Sequence, residues 1–110
     1  MSLFDPGSLQ EVIHGRARLA VLAFLTTVGA ADFGSIRQEV GISDGNLSQH
    51  LRKLEDAGYV RLEKTFSASG LVGSGRQRTL VNLTPEGRKA FYDYLDHLQS
   101  LLKMIPERDD

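Results

Sequence analysis

SDGNLSQHLRKLEDAGYV, residues 43 to 60, opens as a helix and closes as a strand. Leu47, Leu51 and Leu54 recur at helical spacing and form an apolar stripe. At about 100° per residue, Gly45, Gln49 and Arg52 lie opposite that stripe, with Ser48 on one shoulder and Asn46 and Lys53 on the other. A merely solvated face would carry mostly Glu and Lys. This one offers amides and a hydroxyl, which both donate and accept, together with two cations. Ser43 is placed to cap the helix and Gly58 to stop it after about Ala57.

Upstream, Asp32 reads as the N-cap of FGSIRQEV, whose Phe33, Ile36 and Val40 face inward, and Gly41 ends that helix. Two short helices joined by a tight glycine-containing turn predict a helix-turn-helix over about 33–57. Downstream, YVRLEKTF alternates apolar and polar positions through Val60, Leu62 and Phe66. SASGLVGSG then reads as a loop. RQRTLVNL is a second strand, with Val81 and Leu83 on one face and Arg76 and Arg78 on the other. Together they predict a β-hairpin over about 59–83. TPEG supplies Thr84 as cap, Pro85 at the first helical position and Glu86 at the positive helix end, opening a last helix over about 85–104. The predicted class is mainly α with a small β-hairpin (α+β), in a single domain over 1–110.

The N-terminal part predicts a short helix capped by Ser8 and carrying Leu9, Val12 and Ile13. A second helix follows from Arg16 to about Val28 and is apolar almost all round. Such a helix needs cover on two sides, and a 110-residue chain can cover only one. In the last helix, Phe91, Leu98 and Ile105 repeat every seven residues, with 94/95 and 101/102 between them, as in a coiled-coil seam. The expected partner is a second copy of the chain, with Leu19, Leu22, Phe91, Leu95, Leu98 and Leu102 at the homodimer interface. Packing of the same residues onto the chain's own core fits the pattern too.

There is no cysteine, which removes disulfides, thiolate metal sites and thiol nucleophiles. LAVLAFL, residues 19–25, is far too short to span a bilayer. The N-terminus lacks the basic and apolar regions of a signal peptide, so a soluble cytoplasmic protein with no membrane contact is expected. With 13 basic and 14 acidic residues the net charge is −1, but the distribution is uneven. Residues 64–89 hold Lys64, Arg76, Arg78, Arg88 and Lys89 against Glu86 alone, while residues 90–110 hold two basic and five acidic residues. A polyanion could dock on one face while the tail stays clear.

Double-stranded DNA fits the polar helix face. In the major groove Asn and Gln can bond the adenine edge, Arg and Lys reach guanine, and Ser serves either. Gly45 would let backbone approach a phosphate at the positive end of the helix. Arg76 and Arg78 would lie beside a minor groove or along phosphates.

The order of elements resembles the winged-helix transcriptional regulators of the MarR and ArsR type, in their short single-domain form. LSQHLRKLEDAGYV and VNLTPEGRKAF carry the resemblance, with RLAVLAFL and DFGSIRQEVG matching the helices before them, over roughly residues 15–95. It implies a homodimer joined through terminal helices, with Ser43, Gly45, Asn46, Ser48, Gln49 and Arg52 on the DNA-reading helix. Arg76 and Arg78 become wing contacts, and Lys53, Lys64 and Gln77 backbone contacts. ArsR-type metal sensors carry paired cysteines that this chain lacks. Leu71 and Val72 are unexpected on a solvated wing tip; they could pack on a partner, wedge into a groove, or simply be tolerated.

Other readings start from different residues. His14, His50 and His97 with neighbouring carboxylates raise a metal-responsive sensor, the best pair being Asp93 with His97. A pocket beside the dimer helices could take a small-molecule effector of unknown kind. A winged helix can also serve as a protein-interaction adaptor, although the polar face lacks aromatic anchors. Asp/His on a surface helix is more often a solvated pair, so no metal or cofactor is expected, and with no nucleophile elbow or phosphate loop present no enzyme is expected either.

Overall fold

Among the described residues, three side-chain caps divide the chain at places its sequence marks. The Asp32 carboxylate accepts the Ser35 N–H at 2.8 Å, the Ser43 hydroxyl accepts the Asn46 N–H at 3.2 Å, and the Thr84 hydroxyl accepts the Gly87 N–H at 2.9 Å. The computed structural model describes residues 12–13, 15–67 and 76–107, with backbone alone at 66, 67, 76 and 77. In chain order these form α1 (Arg16–Val28), β1 (Ala30–Asp32), α2 (Phe33–Val40), α3 (Asp44–Asp56), β2 (Val60–Ser67), β3 (Arg76–Leu83) and α4 (Pro85–Met104). The helix expected after Ser8 and the loop bearing Leu71 and Val72 lie outside the described residues.

α3 ends in a paired hydrogen-bond motif. The Gly58 N–H bonds the Glu55 carbonyl and the Tyr59 N–H bonds the Leu54 carbonyl, each at 2.9 Å. Gly58 makes this possible at φ 79°, a left-handed conformation that a side chain would strain. The chain thereby turns directly from α3 into β2.

The sheet has three antiparallel strands in the order β1-β3-β2, one more than the expected hairpin. β1 pairs Ala30 with Asn82 and Asp32 with Leu80, and the Leu83 N–H bonds the Gly29 carbonyl at 3.0 Å. The base of the wing is therefore fastened to the segment that leads into α2. In the β2–β3 pair, Val60 faces Leu83, Lys64 faces Thr79 and Thr65 faces Arg78.

The core gathers Ile13, then Val21, Leu22 and Leu25 of α1, Ile36 of α2, and Leu47, Leu51 and Leu54 of α3. Val60 and Val81 of the sheet and Ala90, Phe91 and Tyr94 of α4 complete it. This corrects two expectations. Leu22 is 0 % exposed and Phe91 6 % exposed within one chain, so neither is available to a partner. Leu19, Leu95 and Leu98 are half-buried against the same core. The seam along α4 thus divides: its first half seats the helix, whereas Leu102, Met104 and Ile105 at its end are 67 %, 53 % and 56 % exposed.

Candidate nucleic-acid interface

α3 is held by one face and presents the other. Leu47, Leu51 and Leu54 are buried, and Gly45, Asn46, Ser48, Gln49, Arg52 and Lys53 are all exposed. Nothing within 4 Å would meet a Cβ built at Gly45, so no contact inside the chain demands glycine there. Asp44, in the first turn, matches the positive end of the helix.

His50 sits between the two faces, half-buried. An Arg18 guanidinium N–H donates to its Nδ1 at 3.4 Å, which requires a neutral ring. Burial, followed by the charges of Arg18 and Lys53, holds the imidazole below its ordinary value. A histidine whose pKa is lowered by folding binds its proton more readily when unfolded. Stability therefore falls as the pH drops below about 6.5. His50 seats α3 on α1 rather than reaching outward.

A trough runs along one side of α3, walled by the wing. Its upper part, 790 Å³, is lined by Asp32, Phe33, Gly34, Ser35, Arg37, Gln38, Asp44, Arg78 and Thr79. Its lower part, 510 Å³, is lined by Phe33, Ser48, Leu51, Arg52, Glu55, Leu62, Lys64 and Thr79. Phe33 and Thr79 belong to both. Ser48 and Arg52 thus border the trough. Asn46, Gln49 and Lys53 lie outside its lining.

Strand alternation separates Lys64 from the other described wing cations, Arg61 and Arg78. Lys64, paired with Thr79, shares a face with Val60 and Leu62, whereas Arg78, paired with Thr65, lies on the other. Arg78 approaches the Asp32 carboxylate at 3.6 Å. Asp32 titrates below its ordinary value, chiefly because it accepts the Ser35 backbone N–H, with Arg78 adding to the effect. Across the trough Arg37 pairs with Asp44 at 2.8 Å. The backbones of Arg76 and Gln77 pair with Ser67 and Phe66, but their side chains lie outside the described ones.

Arg37, Thr79 and Asp32 were not among the sequence candidates. Arg37 is the one basic residue of FGSIRQEV, and that was the only local signal. As for metal, Asp93 pairs with Lys89 at 2.7 Å, and among the described residues no group of three His, Asp or Glu side chains is placed to hold an ion. Nor, among them, is any helix long and apolar enough to cross a membrane.

The family model described as a winged helix DNA-binding domain matches residues 17–102. An uncharacterized protein of Methanocaldococcus jannaschii is 32 % identical over 95 residues, which span 86 % of this chain and 97 % of that one. Among solved structures, a transcriptional regulator homologue from Pyrococcus horikoshii OT3 superposes with a TM-score of 0.79 at 25 % identity, covering 94 % of this chain and 96 % of that one. A protein assigned to the MarR family of transcriptional regulators, from Enterococcus faecalis V583, gives a TM-score of 0.62 at 28 % identity over 84 % of this chain and 76 % of that one.

Proposed function

Because the chain belongs to the winged helix DNA-binding domain family, we propose that it is a transcriptional regulator of the MarR type, like the structures it resembles, working as a homodimer that reads a pseudo-palindromic operator with α3 and represses from it. One observation carries this reading. The exposed part of α3 presents Asn46, Ser48, Gln49, Arg52 and Lys53 between acids at its two ends, Asp44 and Glu55 with Asp56, and beside it runs a trough in which Arg37, Arg52, Lys64 and Arg78 outnumber Asp32, Asp44 and Glu55. Asn46, Gln49 and Arg52 would read base edges in the major groove. Ser43, at the cap, and Ser48, Lys53, Lys64, Arg76, Gln77 and Arg78 would hold the sugar–phosphate backbone on either side.

What α4 leaves uncovered supports a dimer. Leu102, Met104 and Ile105 are large apolar side chains exposed together at one helix end. Joining two copies there, with Leu19, Leu95 and Leu98 bordering the contact, would set two α3 helices in successive major grooves ~34 Å apart. A bound dimer would then cover the DNA that polymerase needs. An adaptor role is disfavoured, because no aromatic or aliphatic anchor stands on the exposed face of α3.

Selection of bound duplexes from a random pool tests the reading; enrichment of an inverted repeat is expected. On that site Gln49→Ala should lose about 1–3 kcal/mol and relax preference at one base pair per half-site. An equal loss on random DNA would show that Gln49 reads no base. Gly45→Ala separates function from folding. It should stabilise the free protein by up to about 1 kcal/mol in denaturant unfolding, through helix propensity. It should nevertheless weaken operator binding, because the added methyl stands where a phosphate approaches. Unchanged binding would mean that no backbone group comes close there.

A further inference from the structure

Asp32 does two things with two oxygens. Oδ1 accepts the Ser35 N–H at 2.8 Å and caps α2, while Oδ2 faces the Arg78 guanidinium at 3.6 Å. Its backbone is meanwhile paired with Leu80, two residues along from Arg78 on β3. One residue thus ties a wing cation to the helix-turn-helix frame. Without that tie, Arg78 would hang from the wing by a long flexible stem and lose rotamer freedom on every productive contact.

We propose, resting on the reading of α3 and the wing as the DNA interface, that Asp32 is a positioning residue for Arg78 and thereby a determinant of sequence specificity. Its carboxylate fixes the guanidinium relative to α2 and α3, so that Arg78 meets a phosphate or groove edge in register only when α3 is seated on its cognate bases. On random DNA, where α3 makes no registered contact, the same carboxylate partly neutralises Arg78 and repels the polyanion. Both effects widen the gap between operator and random sequence. Arg37 with Asp44, at 2.8 Å, is a separate ion pair that joins α2 to the first turn of α3.

A double-mutant cycle tests this without disturbing the fold, since Asn and Ser cap helices about as well as Asp. Operator and random-duplex affinities are measured for the wild type, Asp32→Asn, Arg78→Ala and the double variant, with Asp32→Ser as a second cap-competent substitution. The ratio of operator to random affinity should fall by about two- to fivefold in Asp32→Asn and in Asp32→Ser, the range expected of an exposed ion pair. In the Arg78→Ala background the ratio should not change. A ratio unmoved by Asp32→Asn, or lowered as much without Arg78 as with it, overturns the proposal. Failure of the wild type to select any sequence removes the interface reading itself, and that result precedes every variant.

Discussion

Leu102→Asp should leave the chain folded, turn dimers into monomers, and weaken operator binding by about 10²–10⁴-fold, the contribution of a second linked binding event. Leu102 is 67 % exposed at the end of α4, so its loss takes nothing from the chain's own core. A buried carboxylate at a dimer contact would be costly unless paired. Light scattering reads the association, anisotropy on the selected operator reads the affinity, and the thermal midpoint of the dilute protein checks that the fold survives. Leu98→Asp would be a poorer probe, because Leu98 also packs on the core. A Leu102→Asp protein that still scatters as a dimer would place the contact elsewhere.

Gly87→Ala should be the most damaging small substitution for the fold. Gly87 is buried in the first turn of α4, directly over the corner between α3 and β2. A Cβ there would overlap the Tyr59 carbonyl oxygen and stand 2.9 Å from the Tyr59 Cα. That obstacle is backbone and cannot rotate away. The same corner is bound by Thr84, whose hydroxyl donates to the Gly58 carbonyl at 2.6 Å and whose N–H bonds the Tyr59 carbonyl at 3.1 Å. Either α4 lifts, breaking those bonds, or Tyr59 moves and pulls β2 with it. Overpacking of this kind costs about 1–3 kcal/mol and more where backbone must shift, which corresponds to a fall of roughly 4–20 °C in Tm for a domain of this size. Glu86→Ala, on the exposed side of the same turn, is the control and should shift Tm little. Equal midpoints for the two variants would mean that α4 does not seat on Tyr59.

The contrast between those two sites shows what could be read from sequence. Asp32, Ser43 and Thr84 announce helix starts because a cap is a contact within three residues, and Gly41 and Gly58 announce ends for the same reason. The polar face of α3 was legible because its leucines fix the helix phase. What escaped depends on contacts distant in sequence. β1 is three residues long, too short to show alternation, and exists because β3 offers it a partner. Arg37 and Asp32 join the site only once the wing and α3 are brought beside them. Periodicity also could not separate a core stripe from a partner-facing one. Leu22 and Phe91 obey the same spacing as Leu102, yet the first two are covered by the chain itself.

Replacement of single purines in the selected operator by their 7-deaza analogues tests the central claim most directly. The substitution deletes the N7 acceptor from the major groove and leaves the minor groove and phosphates intact. Insertion of two α3 helices predicts two symmetric clusters of weakened positions, their centres one helical turn or ~34 Å apart, with the clusters fading in Gln49→Ala. Binding indifferent to every N7, with loss only on substitution in the minor groove, would contradict it.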